Sequence, residues 1–223
     1  MAQFSIFALK KNYDMKLFAV LFTLITFASF GQDTKAQSVL DKLSAKMKAQ
    51  KSFYVEFSLS IKSGGSTESM TGKGWVKEDK YYGSLGENTM ISNGVKTWTI
   101  VKEEKTVYET DADEEEDDML NPKKLMTLWE SGFKNKYVKE TTLSGKAVHC
   151  INLYPKSASS VDYHTVVLYV GKGDSHLKKV IVKMKDGTTM TYRVTKFTSN
   201  PTISDSKFFF NKGKYPGYTV VKD

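Results

Sequence analysis

The chain has 223 residues and a formal charge of +8 at neutral pH, with 40% hydrophobic and 13% aromatic residues. That length supplies one domain with a real core, or at most two small ones. Arg193 is the only arginine among 33 basic residues; base and phosphate recognition favour the planar fork of arginine, so the charge reads as a solvated lysine surface and excludes a nucleic-acid footprint.

At the start, Lys10, Lys11 and Lys16 precede an apolar run over residues 17–30, and Ser29 and Gly31 fit the −3 and −1 positions of a signal-peptidase site. The run is short for a bilayer span, and Gln32-Asp33-Thr34-Lys35 follows at once. Residues 1–31 therefore read as a cleaved secretory signal and 32–223 as a single exported, periplasmic domain. Met15-Lys16 and the apolar run also form a complete signal, which makes Met15 an alternative start. No cysteine lies near the cleavage point, so the mature protein is not expected to be a lipoprotein itself. Cys150 is the only cysteine and excludes an intramolecular disulfide. It reads as a small buried hydrophobe in a strand, because its neighbour His149 must point to the opposite face.

After the signal, Ala36, Leu40, Leu43 and Met47 recur at helical spacing, with Val39 widening the stripe, and predict an amphipathic helix over residues 36–50. Phe53, Val55, Phe57, Leu59 and Ile61 then alternate with polar residues, the period of a strand with one apolar face. Residues 72–108 read as a meander of antiparallel strands, with a type I′ hairpin expected at Asn93-Gly94. Between residues 109 and 118 eight of ten are acidic. Glu116 stands where a calcium loop needs glycine, so a self-repelling surface loop is the reading, with a weak cation site the minor one.

Asn121-Pro122 opens a predicted helix over 122–130, with Leu125, Leu128 and Trp129 on one side and Gly132 as its stop. Strands follow over 134–140, 147–154, 163–170, 177–185 and 188–197, with another type I′ hairpin expected at Asp186-Gly187 and a turn at Ser144-Gly145. The fold class is mostly β with short α-helices. About ten strands joined by hairpin turns make an antiparallel sheet that must curl as twist accumulates, with the helices across its concave side.

No phosphate loop or Gly-x-Ser-x-Gly elbow occurs, and His149, His164 and His176 do not have metal-binding helical spacing. No catalytic residue, metal ligand or cofactor is assigned, and an enzyme is not expected. A lipid hydrolase would need a nucleophile constellation that the residues do not offer.

Several strings, taken in order, resemble the LolA family of periplasmic outer-membrane lipoprotein carriers. They are the N-terminal helix running into Ser52-Phe53-Tyr54-Val55-Glu56-Phe57, then Gly72-Lys73-Gly74-Trp75-Val76-Lys77, then Ser92-Asn93-Gly94-Val95-Lys96-Thr97-Trp98. Asn121-Pro122 before an apolar helix and the closing Tyr215-Pro216-Gly217-Tyr218-Thr219-Val220 complete the set. The resemblance implies an open half-barrel of about eleven strands with helices as a lid over a hydrophobic cavity. It implies a monomeric carrier that takes acylated lipoproteins from an inner-membrane ABC transporter release complex and delivers them to the outer membrane, with or without a receptor there. Phe53, Val55, Phe57, Leu59, Trp75, Met90, Trp98 and Ile100 are the expected cavity lining; Leu40, Leu43, Met47, Leu125, Leu128 and Trp129 are the expected lid. The bland alternative is that these side chains only pack a core.

One departure is plain. After the Trp-Val-Lys string the family commonly has Arg-Pro, the Arg helping to hold the lid; Glu78-Asp79 stand here instead, so either this latch is lacking or another pair serves. The rival function is a periplasmic lipid- or lipoprotein-sensing regulatory domain on the same scaffold. Such regulators usually carry a second domain, and here the sequence stops just after its closing strand.

Overall fold

The computed structural model describes residues 33–112 and 126–222. The signal-peptide reading of 1–31, the acidic residues 113–118, and Asn121, Pro122 and Leu125 lie outside the described residues.

Twelve strands pair into one open sheet. Six form a first meander: β1 (Ser52–Ser63), β2 (Ser66–Lys77), β3 (Lys80–Leu85), β4 (Asn88–Ser92), β5 (Lys96–Val101) and β6 (Thr106–Asp111). Five form a second: β7 (Phe133–Leu143), β8 (Lys146–Pro155), β9 (Tyr163–Gly171), β10 (Leu177–Met184) and β11 (Thr189–Ser199). β1 pairs with β11, so the meanders join at their long strands, leaving β7 at one edge and β12 (Thr219–Lys222) at the other. The edges do not meet, and the result is a half-barrel. β12 departs from the antiparallel expectation: it runs parallel to β6, Thr219 opposite Thr106. A parallel neighbour cannot be reached by a hairpin; the whole second meander intervenes, and residues 200–218 then carry the chain from β11 to β12.

The hairpin chemistry also shifts. At Asn93-Gly94 only the glycine takes positive φ, 87°, and the Asn93 side chain accepts from the N–H groups of Val95 and Lys96. Asp186-Gly187 behaves alike, Asp186 accepting from the N–H of Thr188. These are side-chain-capped Asx turns, not type I′. Positive φ at both central residues, as type I′ requires, occurs instead at Gly64-Gly65 and Ser144-Gly145.

Helix α1 (Thr34–Lys48) starts at Asp33, whose carboxylate accepts from the N–H of Lys35 at 3.1 Å and of Ala36 at 3.0 Å. Its second oxygen accepts from the N–H of Tyr137 on β7 at 2.9 Å, so one residue both caps the helix and ties it to the sheet. These bonds, Ala36 first and Tyr137 next, hold the Asp33 carboxyl below its ordinary value. Ala36, Leu40, Leu43 and Met47 are buried, on the stripe read from the sequence.

Two described stretches pack on opposite faces of the sheet. The chain leaves β6 near one edge and resumes at β7 on the other; the described end of that crossing places Met126 and Trp129 in the same buried cluster as α1. Residues 200–218 cross the other face, where Phe210, Tyr215 and Tyr218 pack on Ile91, Ile100 and Val107. The helix predicted over 122–130 is corrected in its described part: 126–127 is a turn, and Leu128–Glu130 is a single 3₁₀ turn. Gly132, at φ 79°, redirects the chain into β7.

Candidate functional site

Strand register decides which side chains share the face that α1 covers. On β1 these are Phe53, Val55, Phe57 and Leu59, all buried. Their partners carry the face outward in both directions. Val76, Tyr81 and Met90 continue it through β2, β3 and β4. Tyr192, Val180, Leu168 and Ile151 continue it through β11, β10, β9 and β8. The rings of Phe57 and Tyr192 lie 6.1 Å apart, and burial pushes the Tyr192 hydroxyl up to about 12. Gly72 sits opposite Phe57, and any Cβ there would collide with the Phe57 ring, so the glycine makes the space that the ring fills.

Among the described residues the cover is small. Leu40, Leu43 and Met47 of α1 and Trp129 of the 3₁₀ turn are buried in the inner-face cluster, Leu128 is half-buried against it, and Met126 takes the inward position beside Trp129. Two polar ties hold the 3₁₀ turn to α1: the Trp129 indole N–H donates to Ser44 Oγ at 2.8 Å, and Lys48 pairs with Glu130 at 3.2 Å. The start of α1 is anchored more firmly, through Asp33 on Tyr137, the Lys35 ammonium 3.9 Å over the Tyr137 ring, and Gln37, which accepts from Asn135 at 2.7 Å.

Three expected lining residues stand elsewhere. Trp75 is directly opposite Tyr54 and Trp98 directly opposite Ile91, and Ile100 pairs with Val107. All three belong to the outer face. There Trp98, half-buried, and Ile100 pack in the second cluster under the 200–218 crossing, while Trp75 packs on Tyr54 and Tyr82. The Lys207 ammonium lies 3.6 Å over the Trp75 ring and 4.5 Å over that of Tyr82, and burial pushes its pKa down. The sequence reading missed the whole second half of the inner face, although the alternation of Val166, Leu168 and Val170 carries its signal. It also missed Asn135, buried on β7.

The histidines and the cysteine are brought to separate places. His149 Nδ1 lies 3.0 Å from the Tyr137 hydroxyl on the inner face. Cys150 is buried on the outer face, where burial raises its thiol pKa and Tyr169 is its partner. Among the described residues, no three His, Cys, Asp or Glu side chains come together as a metal site would need.

An open antiparallel sheet with an apolar inner face, covered among the described residues by one helix and one short turn, defines the half-barrel class. The family model described as "Outer membrane lipoprotein carrier protein LolA" matches residues 81–211, and the chain belongs to the LolA family. No curated protein sequence matches it. Among solved structures it is similar to an uncharacterized conserved protein from Thermus thermophilus, with TM-score 0.58 and 8% identity over 85% of this chain and 100% of that one. It is similar too to LprF from Mycobacterium bovis, with TM-score 0.50 and 12% identity over 78% of this chain and 98% of that one. A putative outer membrane lipoprotein-sorting protein domain from Vibrio parahaemolyticus aligns with TM-score 0.45 and 10% identity over 81% and 98%. Identities this low speak for the fold alone.

Proposed function

We propose that the chain is exported and that its 32–223 domain carries acylated lipoproteins through the periplasm, holding their acyl chains on the inner face. The observation that carries this reading is the mismatch between face and cover. A continuous apolar carpet spans β1 to β4 and β8 to β11, while its described lid is one helix and one 3₁₀ turn, tied to each other by the Trp129 indole hydrogen bond and the Lys48–Glu130 ion pair. The 3₁₀ turn is the less firmly tied part of that cover, since α1 is anchored to β7 through Asp33, Lys35 and Gln37.

The energetics fit a carrier. Each methylene buried contributes about 0.8 kcal/mol, so one long acyl chain gains on the order of 10 kcal/mol. Release then requires that part of this gain be offset. Displacing Trp129, Met126 and Leu128 from the same face offsets it, because the lid's own apolar contacts compete with the ligand's. Phe53, Val55, Phe57, Leu59 and Met90 are the proposed lining; Leu40, Leu43, Met47, Leu128 and Trp129 are the proposed cover. The Trp129–Ser44 and Lys48–Glu130 pairs stand in for the absent Arg-Pro latch. Loading from an inner-membrane ABC transporter and unloading at the outer membrane are the proposed route, and family membership supports it. The test is native mass spectrometry of the protein recovered from the periplasm. Acylated lipoprotein bound to a chain beginning at or near Gln32 supports the reading; a chain still holding residues 17–30 and retained in the membrane fraction contradicts it.

A further inference from the structure

Asn135 is 9% exposed, stands between Phe133 and Tyr137 on the inner face of β7, and lies directly opposite the fully buried Leu153. Its amide is oriented by a relay from α1. The Asp41 carboxylate can only accept, so it draws the Gln37 Nε2 at 2.7 Å. The Gln37 Oε1 is thereby turned toward β7, where it accepts from Asn135 Nδ2 at 2.7 Å. That leaves Asn135 Oδ1 on the far side of its amide, buried and with no hydrogen-bond partner among the described residues. A neighbouring backbone donor on this face, the N–H of Tyr137, is already taken by Asp33. A fixed, desolvated acceptor among apolar side chains is costly to leave unpaired, so it favours a ligand that brings a donor.

Resting on the acyl-carrier reading, we propose that Asn135 Oδ1 is a specificity determinant that accepts a hydrogen bond from the amide N–H of an N-acylated ligand. A secondary amide places a donor immediately beside the alkyl chain. An ester-linked chain brings only acceptors at that point, and a fatty carboxylate brings negative charge against the carbonyl oxygen. The site therefore separates N-acylated from O-acylated ligands of the same chain length. It works while the first half of α1 stays on the sheet, and Asp33, Lys35 and Gln37 anchor that half to β7. Two sources share this chemistry, a protein acylated on its N-terminal amine and an N-acyl lipid.

The test uses the mature full-length protein and a fluorescent peptide carrying palmitate either on its N-terminal amine or as a serine ester. The wild type is expected to bind the amide about tenfold more tightly, the worth of one hydrogen bond. Asn135→Leu removes the preference, leaves ester binding intact, and raises thermal stability by removing the orphan acceptor. Gln37→Ala, on the half-buried face of α1, frees the amide to turn and also narrows the preference, which keeps the inference testable should the leucine variant misfold. Competition by N-palmitoyl sphingosine identifies an N-acyl lipid as the source; failure to compete identifies an acylated protein. Equal affinity of the wild type for amide and ester, or an amide preference that survives Asn135→Leu, overturns the inference and leaves a water molecule as the partner of Oδ1. Failure of both peptides to bind overturns the carrier reading itself, and this inference with it.

Discussion

Two described stretches pack on opposite faces of this sheet, 200–218 outside and 126–132 inside, and they are held in different ways. The outer crossing, residues 200–218, lays Phe210, Tyr215 and Tyr218 on Ile91, Trp98 and Ile100, clamps Lys207 over Trp75 and Tyr82, and ends in β12, hydrogen-bonded along β6. Asp205 adds ion pairs to Lys77 at 3.0 Å and Lys80 at 3.3 Å. The described end of the inner crossing is a 3₁₀ turn tied to α1 by the Trp129 indole hydrogen bond and the Lys48–Glu130 ion pair, and Gly132 accepts from the Lys156 N–H at 2.8 Å. Both bury aromatic surface and both run into an edge strand, β12 on β6 and β7 on β8, but among the described residues the outer one adds a lysine clamped over two rings and a carboxylate paired with two lysines. The contrast teaches that burial alone does not mark architecture: what matters is how many independent bonds must break before the buried face is free.

The sharpest way to break the comparison is to place a charge under each crossing. Ile100→Glu, at 1% exposure beneath the outer crossing, is expected to cost about 4 kcal/mol or more and abolish the cooperative melt. Phe57→Glu on the inner face is expected to leave a folded protein with a lower melting temperature, the proposed lid lifting to admit water, while acyl-probe binding is lost. If both variants unfold alike, the inner face is ordinary core. Next in size is Gly72→Ala, whose methyl group must displace the Phe57 ring. A cost of about 1–3 kcal/mol by chemical denaturation, with a changed affinity for the acyl probe, is expected.

Smaller effects sharpen the difference. Ser44→Ala removes the acceptor of the Trp129 indole and should cost about 1 kcal/mol. Lys48→Ala should cost less than about 1 kcal/mol, since Lys48 is largely exposed. Both should speed loading in stopped-flow mixing, whereas Lys207→Ala, on the other crossing, should lower stability with no change in loading. The least effect is expected from pH. Burial holds His149 and His176 below the ordinary histidine value, with Glu140 and Asp174 opposing it. Stability is therefore complete above the unfolded value of about 6.5. It declines as pH falls through that value toward the lower folded ones, because the unfolded chain takes up protons that the folded chain refuses. Urea melts at two pH values check the slope, and His149→Gln with His176→Gln should flatten it.

Much of this was legible in the sequence, and the misses have physical causes. The alternation of Phe53, Val55, Phe57 and Leu59 declares one buried face, and the strands of the second meander lie within a few residues of their predicted ends. Which face Trp75 takes is a matter of register. Gly64-Gly65 forms a two-residue turn that pairs Ser63 with Ser66, and counting along the ladder from there sets Trp75 against Tyr54, on the polar side of β1. Trp98 and Ile100 follow through the next hairpins. Aromatic content drew these residues to the lining; pairing parity removes them. Asn135 was invisible because it lies between Lys134 and Lys136 and reads as surface; only the ladder to Leu153 and the reach of Gln37 bury it.

The proposed lid role of the 3₁₀ turn predicts that it leaves the inner face when acyl chains enter, and Trp129 reports on that directly. In a Trp75→Phe, Trp98→Phe background, Trp129 is the remaining tryptophan. Its emission is recorded while a palmitoylated lipopeptide is titrated in. The account predicts a saturable red shift, as the indole leaves Ser44 and the apolar cluster for water, with the same midpoint as lipopeptide binding measured by equilibrium dialysis. Saturable lipopeptide binding with unchanged Trp129 emission would contradict it, and would make the 3₁₀ turn as fixed a part of the structure as the crossing on the opposite face.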